Sequence, residues 1–296
     1  MLMLRMTGGL GNQMFQYAIY QELLSRGKEV CIDDFTEYDG SETHHKSIEK
    51  VFGVTYRKGT LKEYNRLTDS SKMIFKRVKR KLLGRKQKVY QEKDAIKYEE
   101  KVFGYEDAYL IGYFQSEKYF SGVHKLIRKQ FAFKEELITD KAKEYLESIE
   151  SGNSISVHIR RGDYVKEKFA SIYGGICTTE YYQSAMKYMR QNVDNPKFFL
   201  FTNDPEWVKE NMLEEDCVLV EGNDESTGYI DMMLMSRCKH NIIANSSFSW
   251  WGAWLNSYSD KIVVAPSKWL NNTEEEDIFA DCMNVRFNAA GEKVHE

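Results

Sequence analysis

The chain has 296 residues, 42% hydrophobic and 29% charged, with a net charge of −3. It is long enough for two domains and a sizeable core, and its slight acidity excludes a molecule built to hold nucleic acid. Five scattered cysteines (Cys31, Cys177, Cys217, Cys238 and Cys282) show no C-x-x-C or Cys/His ligand spacing, which argues against a zinc site or a disulfide framework and for reduced thiols in a cytoplasmic protein.

Residues 1–6 are apolar but too few for a signal-peptide core or a membrane span, and they read as a first strand. Gly8, Gly9, Gly11 and Asn12 follow, and then Met14, Phe15, Ala18, Ile19 and Leu23 recur at helical spacing. Strand, glycine loop, helix resembles the opening of a dinucleotide fingerprint. Met14 stands at the third glycine position, however, so a tight turn explains the glycines equally well. Residues 29–33 suggest a second strand, and 36–120 look less regular, rich in Tyr and Lys. Within them the run from Lys72 to Lys88 carries nine basic residues and no acid. Ile74, Phe75, Val78 and Leu82 fall on one helical stripe there. Such a helix lies on an anionic membrane, or it is a solvated helix docked by its stripe.

From about residue 150 strands and helices alternate regularly. Ile155, Val157 and Ile159 share one strand face, and His158 and Arg160 the other. Gly162 and Asp163 read as the turn that ends this strand. Adjacent Arg160 and Arg161 suit an anion, because each guanidinium is a permanently charged fork of donors, although a surface salt-bridge cluster would look alike. A helix over 179–191, a strand over 197–201, and Asp204 before Pro205 as a helix cap come next. A strand over 218–220, a helix over 229–238 and a strand over 240–244 precede Asn245-Ser246-Ser247-Phe248-Ser249-Trp250-Trp251-Gly252, and 261–266 is the last clear strand. This order predicts a parallel sheet covered on both faces, with ligands at the carboxyl ends of its strands.

Asn245, Ser246 and Ser247 at a helix start offer backbone N–H groups and hydroxyls to an anion, or simply cap the helix. Beside the two arginines they favour a diphosphate shared by both loops. No G-x-x-x-x-G-K-[ST] is present, which excludes a P-loop NTPase as far as motifs can. No D-x-D stands at a strand end, and Asp33-Asp34 reads as a turn. Arginine and helix dipoles can neutralise a diphosphate without a metal. Asp231 could accept both N–H groups of guanine's Watson–Crick edge, or it is a surface acid at a helix start. His158 could touch a base or accept a proton, or it is a strand histidine satisfied by a carbonyl.

Together, Gly8-Gly9-Leu10-Gly11-Asn12-Gln13, His158-x-Arg160-Arg161-Gly162-Asp163-Tyr164, Phe201-Thr202-Asn203-Asp204 and the 245–252 run resemble the α-1,2-fucosyltransferase family over nearly the whole chain. The resemblance implies an α/β, GT-B-like fold of two Rossmann-like lobes with parallel sheets. Residues 1–150 would form an acceptor-side lobe with the basic insertion, and 151–296 a GDP-fucose-binding lobe. It implies inverting transfer of L-fucose from GDP-β-L-fucose to the 2-hydroxyl of a terminal β-galactoside, with no cofactor or metal. By this resemblance Arg160 holds the pyrophosphate, Arg161 supports it, and His158 and Asp231 read guanine. Ser246, Ser247 and Phe248 lie against the diphosphate, while Gly11 and Asn12 belong to the loop that closes over the donor. Asn203 stands where many relatives have Asp. The Glu that serves as base in some fucosyltransferases aligns with Lys168, beside Glu167. Asp163 is therefore the candidate base, with a mechanism lacking a dedicated base as the alternative. A related linkage or acceptor, and a non-catalytic carbohydrate- or nucleotide-binding module, are the competing readings.

Overall fold

The first strand, β1 (Leu2–Arg5), lies between β2 (Val30–Asp33) and β4 (Ala108–Ile111), and β3 (Val89–Gln91) pairs with β4, giving a parallel sheet in the order β2-β1-β4-β3. The computed structural model describes residues 1–36, 47–68, 74, 75, 78, 82, 83, 88–161, 167–224, 226–273 and 276–294, without the side chains of 167–169. β1 and β2 are buried almost throughout, as strands covered on both faces must be. The helix Leu10–Ser25 packs on this sheet and buries most of its apolar residues, Leu24 excepted, together with Gln13 and Gln16.

A second sheet has the order β11-β10-β9-β8-β5-β6-β7. Its strands are β5 (Asn153–Ile159), β6 (Pro196–Thr202), β7 (Cys217–Leu219), β8 (His240–Ile242), β9 (Val263–Pro266), β10 (Val285–Phe287) and β11 (Lys293–Val294). All pairings are parallel except that of β10 with β11. On one face Ile155, Val157 and Ile159 pack with Phe198, Leu200, Tyr181 and Met186. On the other, Ser156 Oγ accepts from Asn241 Nδ2 at 2.7 Å. The helices Tyr229–Arg237 and Ser247–Leu255 pack against each other, close enough that a Cβ on Gly252 would sit 3.0 Å from Met235 Cβ.

Two expectations change. The chain divides at Ala132/Phe133 rather than at 150/151. The helix Asp140–Glu150 packs on β5 and on the helix Tyr229–Arg237, so its apolar residues belong to the second unit's core. Second, the irregular-looking 36–120 region contributes two strands, β3 and β4, to the first sheet. Aromatic side chains fill much of the interior. The largest fully buried side chains are all aromatic, Trp250, Trp251, Tyr119, Tyr181 and Tyr182 among them.

The basic run lies largely outside the described residues. Ile74, Phe75, Val78 and Leu82 are described, helical and exposed, Phe75 to 88%. Their stripe is not packed into the body of the first unit. No helix among the described residues is long and apolar enough to cross a membrane.

Candidate functional site

In the second unit, sequence order runs outward from β5 through β6 and β7 on one side, and from β8 through β9 and β10 on the other. The reversal falls between β5 and β8, where Ile155 pairs with His240 and Val157 with Ile242. Open α/β sheets bind ligands in the crevice outside such a switch point. The loop leaving β5 begins with Arg160 and Arg161, and the loop leaving β8 carries Asn245, Ser246 and Ser247. Two loops 85 residues apart in sequence thus leave adjacent strands side by side.

His158, the penultimate residue of β5, is almost fully buried, with its ring centroid 5.6 Å from that of Phe248. Burial, and then the positive charge of Arg160, push its pKa down to about 3, so the imidazole is neutral at physiological pH. Its backbone carbonyl accepts from Tyr182 Oη at 3.0 Å, but its ring Nδ1 has no partner among the described residues. A buried unpaired ring nitrogen costs free energy unless a ligand completes it.

The two arginines are held differently. Arg161 donates its backbone N–H to Asn203 Oδ1 and its Nε to Asp204 Oδ2, both at 3.0 Å, and its guanidinium lies 3.9 Å above the Trp207 ring. Asp204 also caps the helix Pro205–Asn211 by accepting from Trp207 N–H. Arg161 is thereby bound into the turn after β6, and Arg160 is the guanidinium whose charge acts on His158. The sequence does not show Asn203, Asp204 and Trp207 as holders of Arg161, because the contacts span 42 to 46 residues.

Ser246 caps the helix Ser247–Leu255, its hydroxyl accepting from Phe248 N–H. The capping reading therefore holds for this side chain, and the positive end of the helix faces the crevice. Asn245 Nδ2 donates to the carbonyls of Tyr173 and Trp269, at 3.2 and 3.1 Å, which anchors the loop. Cys177 donates to Asn245 Oδ1, and burial pushes its thiol up to about 12, which keeps it protonated at neutral pH.

Asp231 is partly buried in the first turn of the helix Tyr229–Arg237. Burial raises its pKa to about 6, against a hydrogen bond from Asn223 Nδ2 to its Oδ1 that favours the charged form. Asn223 sits in a loop with no sequence signal. Asp163 and Gly162 lie outside the described residues, as do the side chains of Glu167 and Lys168. Among the described residues no three His, Cys, Asp or Glu side chains converge as a metal-binding group.

Gly11 and Asn12 belong to the first unit, at the start of the helix Leu10–Ser25 and beside the switch point between β1 and β4. Buried glutamines wire this loop. Gln13 Nε2 donates to the Gly8 carbonyl at 2.9 Å, and its Oε1 accepts from Ser47 and Ile48 N–H. Gln16 accepts from Thr7 N–H and donates to the Gly112 carbonyl.

Two α/β units with largely parallel sheets, one of them with an anion-suited crevice at a switch point, fit the GT-B-like fold of glycosyltransferases. The chain belongs to glycosyl transferase family 11, which it matches over residues 1–282, and the resemblance to the α-1,2-fucosyltransferase family is thereby shown. It is 36% identical to an alpha-1,2-colitosyltransferase of Escherichia coli over 94% of this chain and 95% of that protein. It is 33% identical to the Escherichia coli O-antigen biosynthesis glycosyltransferase WbnK over 93% of this chain and 97% of that protein. Human galactoside alpha-(1,2)-fucosyltransferase 1 is 28% identical over 49% of this chain and 42% of that protein. The solved structure of POFUT1 in complex with GDP-fucose superposes with a TM-score of 0.50 at 12% identity, covering 90% of this chain and 98% of that one, which shows the fold alone.

Proposed function

We propose that this chain transfers L-fucose from GDP-β-L-fucose, with inversion, to the 2-hydroxyl of a terminal β-galactoside on an oligosaccharide or lipid-linked glycan. The observation that carries the reading is the adjacency of the Arg160 loop and the Ser246–Ser247 helix start on neighbouring strands. The acceptor oxygen attacks the anomeric carbon through an oxocarbenium-like transition state while the bond to the diphosphate breaks and GDP departs with the electron pair. Arg160 and the N-terminus of the helix Ser247–Leu255 stabilise the charge that grows on the leaving diphosphate. Neutral His158 and the Asp231–Asn223 pair read guanine, Phe248, beside His158, lies against the diphosphate with Ser246 and Ser247, and Arg161 stiffens the loop that carries Arg160. Gly11 and Asn12 also bind the donor. Asp163 takes the acceptor proton, or the proton leaves without a dedicated base. No cofactor or metal is needed, because arginine and helix dipoles supply the positive potential.

A second reading keeps the linkage and changes the sugar. The 36% identity to an alpha-1,2-colitosyltransferase favours colitose in place of fucose as the sugar transferred. Under either reading the enzyme works in the cytoplasm, and the exposed stripe of the basic run makes peripheral contact with the inner membrane face. The test is release of GDP from GDP-fucose with and without lactose, in excess EDTA, followed by linkage analysis of the product. An α-1,2-linked product made in EDTA supports the reading. Loss of activity restored by Mg²⁺ overturns metal independence, another linkage overturns the 2-hydroxyl assignment, and tight GDP-fucose binding without transfer leaves a binding module.

A further inference from the structure

A carboxylate on guanine's edge takes two parallel N–H donors at once, which requires that its rotation be fixed. A freely turning carboxylate still serves one donor well. The rotation of Asp231 is set from outside its own helix. Asn223 Nδ2 donates to Asp231 Oδ1, and Asn223 lies in the loop that leaves β7. The place of Asn223 thus decides how Asp231 is presented.

That loop is held at both ends. At its start the Val220 N–H donates to the Leu200 carbonyl of β6 at 2.9 Å. Tyr145, on the helix Asp140–Glu150, donates its hydroxyl to the Leu219 carbonyl at 3.4 Å and accepts the Glu221 N–H at 3.2 Å. One side chain therefore bridges the last residue of β7 and the loop that follows it. Lys141 stands one turn earlier on the same face of the helix. Its side chain covers Gly222, where φ is +101° and an added Cβ would come within 3.1 Å of Lys141 Nζ, so both the backbone and the space call for glycine. At the far end, Asp224 Oδ1 accepts the N–H groups of Ser226 and Thr227 at 2.8 and 3.1 Å, in the turn that leads into the helix Tyr229–Arg237. Asn223 sits between these anchors. The helix that carries Tyr145 packs on β5 and on the helix that carries Asp231, so pin and carboxylate belong to one body.

We propose that Tyr145 is a positioning residue for nucleobase recognition: its hydroxyl holds the loop after β7 so that Asn223 reaches Asp231 and locks the carboxylate for two guanine N–H groups. The inference rests on the reading of Asp231 as guanine's partner.

The experiment is a double-mutant cycle on Tyr145→Phe, Asn223→Ala and the pair, with GDP and IDP as calorimetric ligands and the melting temperature as a check on folding. The hypoxanthine of IDP keeps N1–H and lacks the 2-amino group, so it needs only one oxygen of Asp231. Wild type should prefer GDP by about tenfold or more, the worth of one hydrogen bond to a charged group. Tyr145→Phe keeps the ring and removes both bonds of the hydroxyl. It should weaken GDP by about three- to tenfold and leave IDP nearly unchanged. The pair should prefer GDP no less than Asn223→Ala does alone. Wild-type preference in Tyr145→Phe, an equal loss for both nucleotides, or losses of preference that multiply in the pair would overturn the proposal. Gly222→Ala covers the case in which Tyr145→Phe does not fold. It strains the same loop from the other side and should narrow the preference too, and an unchanged preference there would also overturn the proposal. A wild type that binds GDP and IDP equally refutes the reading of Asp231 and the proposal with it. A wild type that prefers GDP, with that preference kept in Tyr145→Phe, refutes only the role of Tyr145.

Discussion

Affinity for GDP-fucose should fall as pH drops through 6, and Asp231 should be the reason. Burial raises this carboxyl to about 6, while Asn223 favours its charged form. The charged form can accept two N–H groups from guanine, whereas the protonated form turns an O–H donor against one of them. With a pKa near 6, about nine-tenths of Asp231 is ionised at pH 7 and about one-tenth at pH 5. Apparent affinity should therefore drop about tenfold between pH 7.5 and 5, or about 1.4 kcal/mol. Asp231→Asn should bind weakly at every pH, by about 2–4 kcal/mol, because a charge-assisted acceptor is lost and an amide N–H₂ opposes a donor. Asn223→Ala removes the bond that favours the carboxylate, so the decline should begin at higher pH. The assay is calorimetric titration with GDP-fucose and no acceptor. The diester diphosphate of this ligand does not titrate between pH 5 and 8, unlike a terminal phosphate with a pKa near 6. A wild-type affinity that is flat from pH 5 to 8, or an Asp231→Asn variant that binds as tightly as wild type, would refute the reasoning.

Arg160→Ala should lower kcat by about 10²–10³-fold, as loss of a transition-state charge stabiliser does, and Arg160→Lys should recover only part because the planar fork is gone. A folded Ala variant with wild-type turnover removes Arg160 from the mechanism. Glu92 is raised to about 8 by burial, well above an ordinary carboxyl, so the folded state holds its proton more tightly than the unfolded chain does. Its contribution is complete below about pH 4.5 and is lost as pH rises through 8, by up to about 5 kcal/mol. Thermal melts should accordingly show Glu92→Gln losing less stability than wild type between pH 6 and 9, and parallel curves would contradict this. The nine basic residues from Lys72 to Lys88, with Ile74, Phe75, Val78 and Leu82 exposed, should sediment the protein with anionic vesicles at low salt and not with neutral ones. Changing Lys79, Arg80, Lys81 and Arg85 to Gln should abolish sedimentation and spare activity on a soluble galactoside, and equal sedimentation would remove this segment as the anchor.

Local chemistry made much of the molecule legible. Alternation at Ile155, Val157 and Ile159 marks β5 because its two faces meet different neighbours, and Asp204 before Pro205 marks a helix start because both residues suit an unpaired first turn. The glycine loop, the Arg160 loop and the Ser246 loop follow from strand-to-helix junctions readable within a dozen residues. β3 and β4 are no shorter than β7 and β1, which the sequence does mark, but nothing in their Tyr- and Lys-rich surroundings sets them apart, and pairing across the sheet makes them strands. The unit boundary was misplaced because a helix such as Asp140–Glu150 shows an apolar stripe without showing which sheet it covers. Tertiary structure alone decided that Arg161 is bound by Asp204 and Trp207, that Asn223 meets Asp231, and that Tyr145 holds the loop that carries Asn223. A side-chain partner leaves no trace in local spacing when the chain brings it in from another strand end or a loop without a pattern. The sequence therefore marked the strand-to-helix loops that could hold chemistry, while the order in which strands pair determined which loops of the second unit stand together.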